Sequence, residues 1–125
     1  MKLIVKGTAV PYTRMTQGQV KLMRIPDHKL SPSGLKIKEK LRKYFDWKDF
    51  VNLHTLNLGI DKSPKEKVFL NVMVYYRDKK HADPENIRKG IQDAIFTNDK
   101  MVAGSVDFSY DYTNPRVEIE ILCAL

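Results

Sequence analysis

His81-Ala82-Asp83-Pro84-Glu85-Asn86-Ile87-Arg88-Lys89-Gly90-Ile91-Gln92-Asp93-Ala94-Ile95-Phe96-Thr97-Asn98-Asp99 is the stretch on which the reading of this chain turns. The run before it, Val68 to Tyr76, alternates residues that are apolar on nearly every position and reads as a central strand covered on both faces. Asp83-Pro84 is a helix start: an acceptor side chain at the N-cap, then a residue whose fixed φ suits the first helical position. Ile87, Ile91, Ala94 and Ile95 recur at helical spacing and form one apolar stripe. Asn86, Lys89 and Asp93 fall together on the other side. Asp83 and Glu85 stand at the mouth of the helix, and Asp99 comes just past its end.

Several of these polar residues have a purely structural explanation. Asp83 caps, Glu85 complements the helix dipole, and Glu85–Lys89 is a well-oriented i,i+4 pair. That leaves a cationic loop, Arg77-Asp78-Lys79-Lys80-His81, running straight into an acidic helix mouth. It also leaves Asp99 and the row Asn86, Lys89, Asp93 without a role. The pattern Asp83-x-Glu85-Asn86-x-x-Lys89-x-x-x-Asp93-Ala94-Ile95, followed by Asn98-Asp99 and an apolar segment, resembles the signature of the RusA-like crossover-junction endodeoxyribonucleases. That family has Asp-x-Asp-Asn-Leu-x-Lys, then Asp-Ala-Leu, then a loop bearing another Asp. This chain departs from it in three places. Glu85 replaces an Asp and moves the carboxylate out by one methylene, the loop from Asp93 to Asp99 is short, and Ala82 stands where some members have a basic residue.

The resemblance implies a catalytic set of Asp83, Glu85, Lys89 and Asp99. It also implies Mg²⁺ as cofactor, with Mn²⁺ as the alternative ion, and a homodimer that cuts symmetric strands of a four-way DNA junction. Phosphodiester hydrolysis needs an activated water, shielding of the phosphate charge and a stabilised leaving oxygen, which hard cations held by carboxylates supply. Asp83, Glu85 and Asp99 are then the metal ligands, folded into one pocket. Lys89 neutralises charge that develops on the phosphate. Asn86 orients a ligand or the phosphate, and Asp93 is a partner of Lys89 or a further ligand.

Composition agrees with a single α+β domain over residues 1–125. Hydrophobic residues make up 42%, enough for a core. No apolar run approaches the ~20 residues of a membrane helix, and Met1 to Lys6 is too short for a secretory signal. Cys123 is the sole cysteine, so no intrachain disulfide forms; it reads as a core residue, and a cytoplasmic location fits. The net charge is +7. Residues 101–125 hold one Arg against four acids, so the cationic excess lies in residues 1–100 and points to a polyanion partner.

Along the chain, Lys2 to Thr8 reads as a strand, Pro11 to Gln19 as a polar loop, and Val20 to Ile25 as a short strand or hairpin arm. Ser31-Pro32-Ser33-Gly34 starts a helix to about Asp46, with Ile37, Leu41, Tyr44 and Phe45 as its stripe. Trp47 to Ile60 reads as a second short helix and an extended piece, with Trp47 and Phe50 as core and His54 structural. Val106 to Tyr112 and Val117 to Ile121 alternate cleanly around Thr113-Asn114-Pro115 and read as an antiparallel hairpin. The expectation is a small mixed sheet with an antiparallel C-terminal hairpin and two main helices.

Lys36, Lys38, Lys40, Arg42 and Lys43 on the first helix, with Arg77, Lys79, Lys80, Arg88 and Lys100, are the candidate DNA-backbone contacts. As an ordinary solvated helix face, the first group needs no ligand. Two further readings stand beside the junction nuclease. One is a DNA-binding protein of the same family whose Glu85 and short loop have cost it catalysis. The other, from basicity alone, is an RNA-binding domain.

Overall fold

The computed structural model describes residues 1–123. Its elements run β1 (Lys2–Lys6), α1 (Gln17–Arg24), a single 3₁₀ turn (Asp27–Lys29), α2 (Pro32–Thr55), β2 (Val68–Tyr76), α3 (Pro84–Ile95), β3 (Val102–Ala103), β4 (Val106–Tyr110) and β5 (Arg116–Cys123). The fold is α+β, with three helices and a five-stranded mixed sheet. β5 pairs antiparallel with both β1 and β2, while β3 and β4 pair parallel to β2 on its other side.

The expected C-terminal hairpin is not formed, because β2 lies between β4 and β5. β4 returns parallel to β2 after α3, as parallel pairing through a helical crossover requires. The chain then steps across the end of β2, where the Asp111 N–H donates to the Tyr76 carbonyl, and comes back as β5. Alternation identified both strands and the buried face of β5, whereas Phe108 and Tyr110 on the expected inner face of β4 are exposed; a period of two also does not encode which neighbour a strand pairs with.

Val68, Leu70, Val72, Val74 and Tyr76 of β2 are buried under α2 and α3, against Trp47, Val51, Ile87, Ile91, Ile95 and Phe96. Val5, Val117, Ile119 and Ile121 complete this core. The other face of β2 is only half-buried and no helix covers it, contrary to the two-sided cover expected. Its rings are shielded by long cationic side chains instead: Arg116 lies 3.8 Å from the Tyr75 ring and Lys67 lies 5.6 Å from the Phe69 ring. Exposed Cys123, at the end of β5, is not a core residue either.

The N-terminal half holds two more differences. Val20 to Ile25 is helix, not strand: Thr16 and Gln19 form a capping box that starts α1. A six-residue window cannot separate alternation from the i, i+3 pattern that half-buries Val20 and Met23. α2 is one helix of 24 residues, where two shorter elements were expected. Its buried face is Gly34, Lys38, Leu41, Tyr44, Trp47, Val51 and Thr55, so Ile37 faces solvent and Lys38 does not. The reason is Asp27. Lys38 donates to the Ile25 carbonyl and pairs with Asp27 at 2.9 Å, and Arg42 makes a two-pronged contact with the same carboxylate at 2.8 and 3.1 Å. Arg42 first, then Lys38, hold the Asp27 carboxyl down at about 2.

Gly104 separates β3 from β4. Its φ is +143°, and a Cβ there would sit 2.0 Å from the Leu70 carbonyl oxygen, so only glycine fits. The gap lets Ser105 bond Asn71, and Arg88 reaches the Leu70 carbonyl at 3.2 Å.

Candidate active site

α3 carries most of the candidate residues, and it starts as its sequence requires. Asp83 is the N-cap, its carboxylate accepting from the Glu85 N–H at 3.4 Å, and Pro84 opens the first turn. Ile87, Gly90, Ile91 and Ile95 turn the apolar face into the core. Glu85, Lys89 and Gln92 then fall within about 60° of one another on the outer face. Asp83 and Glu85 are both exposed at the helix mouth.

Asp99 reaches this row through a residue that the motif did not single out. The Gln92 side-chain amide donates to the Asp99 carboxylate at 2.8 Å. The loop bearing Asp99 is fixed independently: the Thr97 and Asn98 N–H groups donate to the Lys62 carbonyl, and the Val102 N–H to that of Asp99. Gln92 lies nine residues beyond Asp83, a rise of roughly 13 Å along the helix. Asp83, Glu85 and Asp99 are therefore strung along one helix face. Among the described residues no three His, Cys, Asp or Glu side chains converge on one point. The i, i+7 relation of Glu85 to Gln92 was the available signal for Gln92.

The polar row Asn86, Lys89, Asp93 has a different occupant from the one anticipated. Asp93 accepts from the Tyr44 hydroxyl at 2.9 Å and pairs with Lys48 at 2.7 Å, tying α3 to α2 rather than to Lys89. Burial, then that bond, push the Tyr44 phenol up. The Asn86 carbonyl accepts from the Tyr12 N–H at 3.0 Å. The Lys89 ammonium sits 4.7 Å from the Tyr12 ring centroid in place of the i,i+4 pair with Glu85. This docking depends on Gly90, where a Cβ would stand 3.3 Å from both the Tyr12 nitrogen and the Tyr44 ring. Tyr12 lies in a loop that composition marked only as polar, and nothing in local sequence ties it to a helix some 75 residues on.

At the N-terminal end of α3, the Tyr76 hydroxyl donates to the Ala82 carbonyl at 2.7 Å. Burial first, then the Asp83 charge, push that phenol up to about 12, so it remains a donor at neutral pH.

The cationic candidates divide into two groups. Lys36, Lys40, Lys43, Arg77, Lys79, Lys80 and Lys100 are exposed. Lys38, Arg42 and Arg88 are engaged within the fold, at Asp27, Ile25 and Leu70. A shallow hollow of about 320 Å³, lined by Ile4, Asn71, Met73, Glu118 and Glu120, lies on the open sheet face away from α3.

Exposed carboxylates at a helix mouth, with exposed cations on a basic α+β domain, are the side-chain types that phosphodiester chemistry draws on. The family model for endodeoxyribonuclease RusA matches residues 34–122, from the first turns of α2 to β5. That span is more than two thirds of the chain, and the chain belongs to the endodeoxyribonuclease RusA family. No curated protein matches the chain. No helix among the described residues is long and apolar enough to cross a membrane.

Proposed function

We propose that this protein is a Mg²⁺-dependent endonuclease that resolves four-way DNA junctions by symmetric phosphodiester hydrolysis, acting as a cytoplasmic homodimer in recombination and repair. The observation that carries the reading is the pair of exposed carboxylates, Asp83 and Glu85, at the mouth of α3. Mg²⁺ keeps several waters and is held by one or two carboxylates together with substrate phosphate, so this donor pair fits it, and Mn²⁺ equally. Asp99 would join the set only by leaving Gln92 for the helix mouth. The ion, when bound, polarises the attacking water and shields the phosphate charge.

The chain's own residues do the rest. The positive end of the α3 dipole favours the approaching phosphate. Lys89, held over Tyr12, presents its charge on the same face as Glu85 and stabilises negative charge on the phosphate oxygens. Arg77, Lys79, Lys80, Lys36, Lys40, Lys43 and Lys100 supply exposed charge for the backbone of the arms. A substrate cut at two symmetry-related positions suits a two-fold dimer.

The test is nicking of a synthetic four-way junction. Symmetric cuts are expected with Mg²⁺ and none with EDTA; junction binding without cleavage in any divalent metal overturns the reading. The placement of Asp99 on Gln92, away from the Asp83 end, favours a second reading as a junction-binding protein that has lost catalysis. Cleavage gained by Glu85→Asp in an inactive wild type would support it.

A further inference from the structure

Tyr76 and His81 form a stacked pair, with ring centroids 3.6 Å apart and planes 15° from parallel. Tyr76 is buried and His81 is exposed. The His81 Nδ1 contacts the Ala82 carbonyl at 2.8 Å, and since a carbonyl only accepts, Nδ1 carries the proton. Nε2 meets the Tyr110 hydroxyl at 3.1 Å. Two hydrogen bonds in the ring plane and a stacked neighbour thus hold the imidazole in one orientation. Phe108 and Tyr110 lie 5.7 Å from His81, and 5.9 and 6.3 Å from Tyr76. Being nearly equidistant from both rings, they flank the pair and leave the outer face of His81 uncovered. That face is two residues before Asp83. Exposed Arg77, Lys79 and Lys80 lie in the same loop just before it, and the Arg77 guanidinium sits over the Tyr112 ring at 5.4 Å.

We infer that the outer face of His81 is a stacking platform for a nucleobase of the DNA, beside the phosphate received at the α3 mouth. The inference rests on the nuclease reading. An aromatic face flanked by cations is the arrangement that takes unpaired bases: the cations hold the backbone while the ring accepts any base without reading its edges. Two residues of extended chain span about 7 Å, so the stacked base belongs to a nucleotide close to the phosphate at Asp83. Within a duplex arm each base is already stacked on its neighbours. At a branch point one is not, and the platform therefore favours a junction over a duplex with the same number of phosphates.

The experiment uses the full chain and a four-way junction carrying 2-aminopurine at the branch point, in EDTA so that nothing is cut. Stacking quenches this base. Wild type and His81→Phe should quench it. His81→Ala should not, and should bind the junction roughly tenfold more weakly while duplex affinity stays unchanged. His81→Phe keeps the ring and loses both hydrogen bonds, so a hydrogen-bonding role alone would make it behave as His81→Ala and overturn the inference. Undiminished quenching by His81→Ala overturns it as well, as does a change in oligomeric mass, which would place the ring between two copies of the chain. If wild type cleaves while quenching is indifferent to His81, the nuclease reading stands and only this inference falls. If wild type does not bind the junction, both fall.

Discussion

Gln92 donates its side-chain amide to the Asp99 carboxylate across 2.8 Å, and this bond sets where the third candidate acid lies. The loop backbone is fixed by Lys62, so the side chain of Asp99 is what Gln92 controls. Gln92→Ala should leave the fold intact and lower cleavage by about tenfold, the order of one lost hydrogen bond to a charged group. Gln92→Glu should cost more, because a second carboxylate there repels Asp99. Mn²⁺ binding followed by paramagnetic resonance, alongside junction nicking, checks both; unchanged metal affinity in each variant would separate Asp99 from the metal site.

Asparagine caps a helix as well as aspartate does, so Asp83→Asn tests chemistry without disturbing α3. Cleavage should drop by more than about 100-fold, the scale on which loss of a group that stabilises developing charge is felt. Gel shifts with four-way junctions should show binding within a few-fold of wild type. Retained cutting would remove Asp83 from the site.

The Lys89 ammonium over Tyr12 is held by a ring, not by a carboxylate. A cation–π contact at such a site contributes about 0.5–1 kcal/mol. Tyr12→Phe keeps the ring and should cleave at the wild-type rate. Tyr12→Leu should lower kcat a few-fold at unchanged KM for the junction, and Lys89→Ala should exceed either. Single-turnover cleavage at saturating protein reads the difference.

Gly104 has no tolerated replacement. Gly104→Ala places a methyl against the Leu70 backbone at a φ that other residues avoid, so β3 and β4 must shift together. A loss of about 3 kcal/mol is expected, at the upper end of single-site backbone strain. Urea titration checks it. Gly7→Ala, also at positive φ but with open space around it, should cost less and serves as the control.

Asp27 gives the fold an acid-sensitive joint. Its carboxyl is depressed from 3.8 to about 2 by Arg42 and Lys38. A depressed acid contributes stability that is complete above its ordinary value and is lost as the pH falls toward 2. Asp27→Asn should therefore lower the melting temperature at pH 7, where it also leaves buried Lys38 without its counter-charge. The gap to wild type should close between about pH 4 and pH 2. Thermal melts across that range check the sign; a gap constant with pH would mean that the pair is not coupled to folding.

The sequence by itself determined α3 and which side chains stand at its mouth. Asp83 at the cap, Pro84 at the first position and the Ile87, Ile91, Ile95 stripe are local signals, written within one helix length, and so were the acids at its mouth. It also determined β1, β2 and the strand character of β4 and β5, because burial on one face forces a period of two. What only the tertiary structure decided depends on residues far apart in the chain. β2 separates β4 from β5, Asp27 draws Lys38 into the interior, Gln92 collects Asp99, and Tyr12 takes Lys89 across the gap that Gly90 leaves open. Strand order, burial of a cation and the partner of a lysine are set by what the packed chain brings alongside, and no period or spacing along the backbone carries that information.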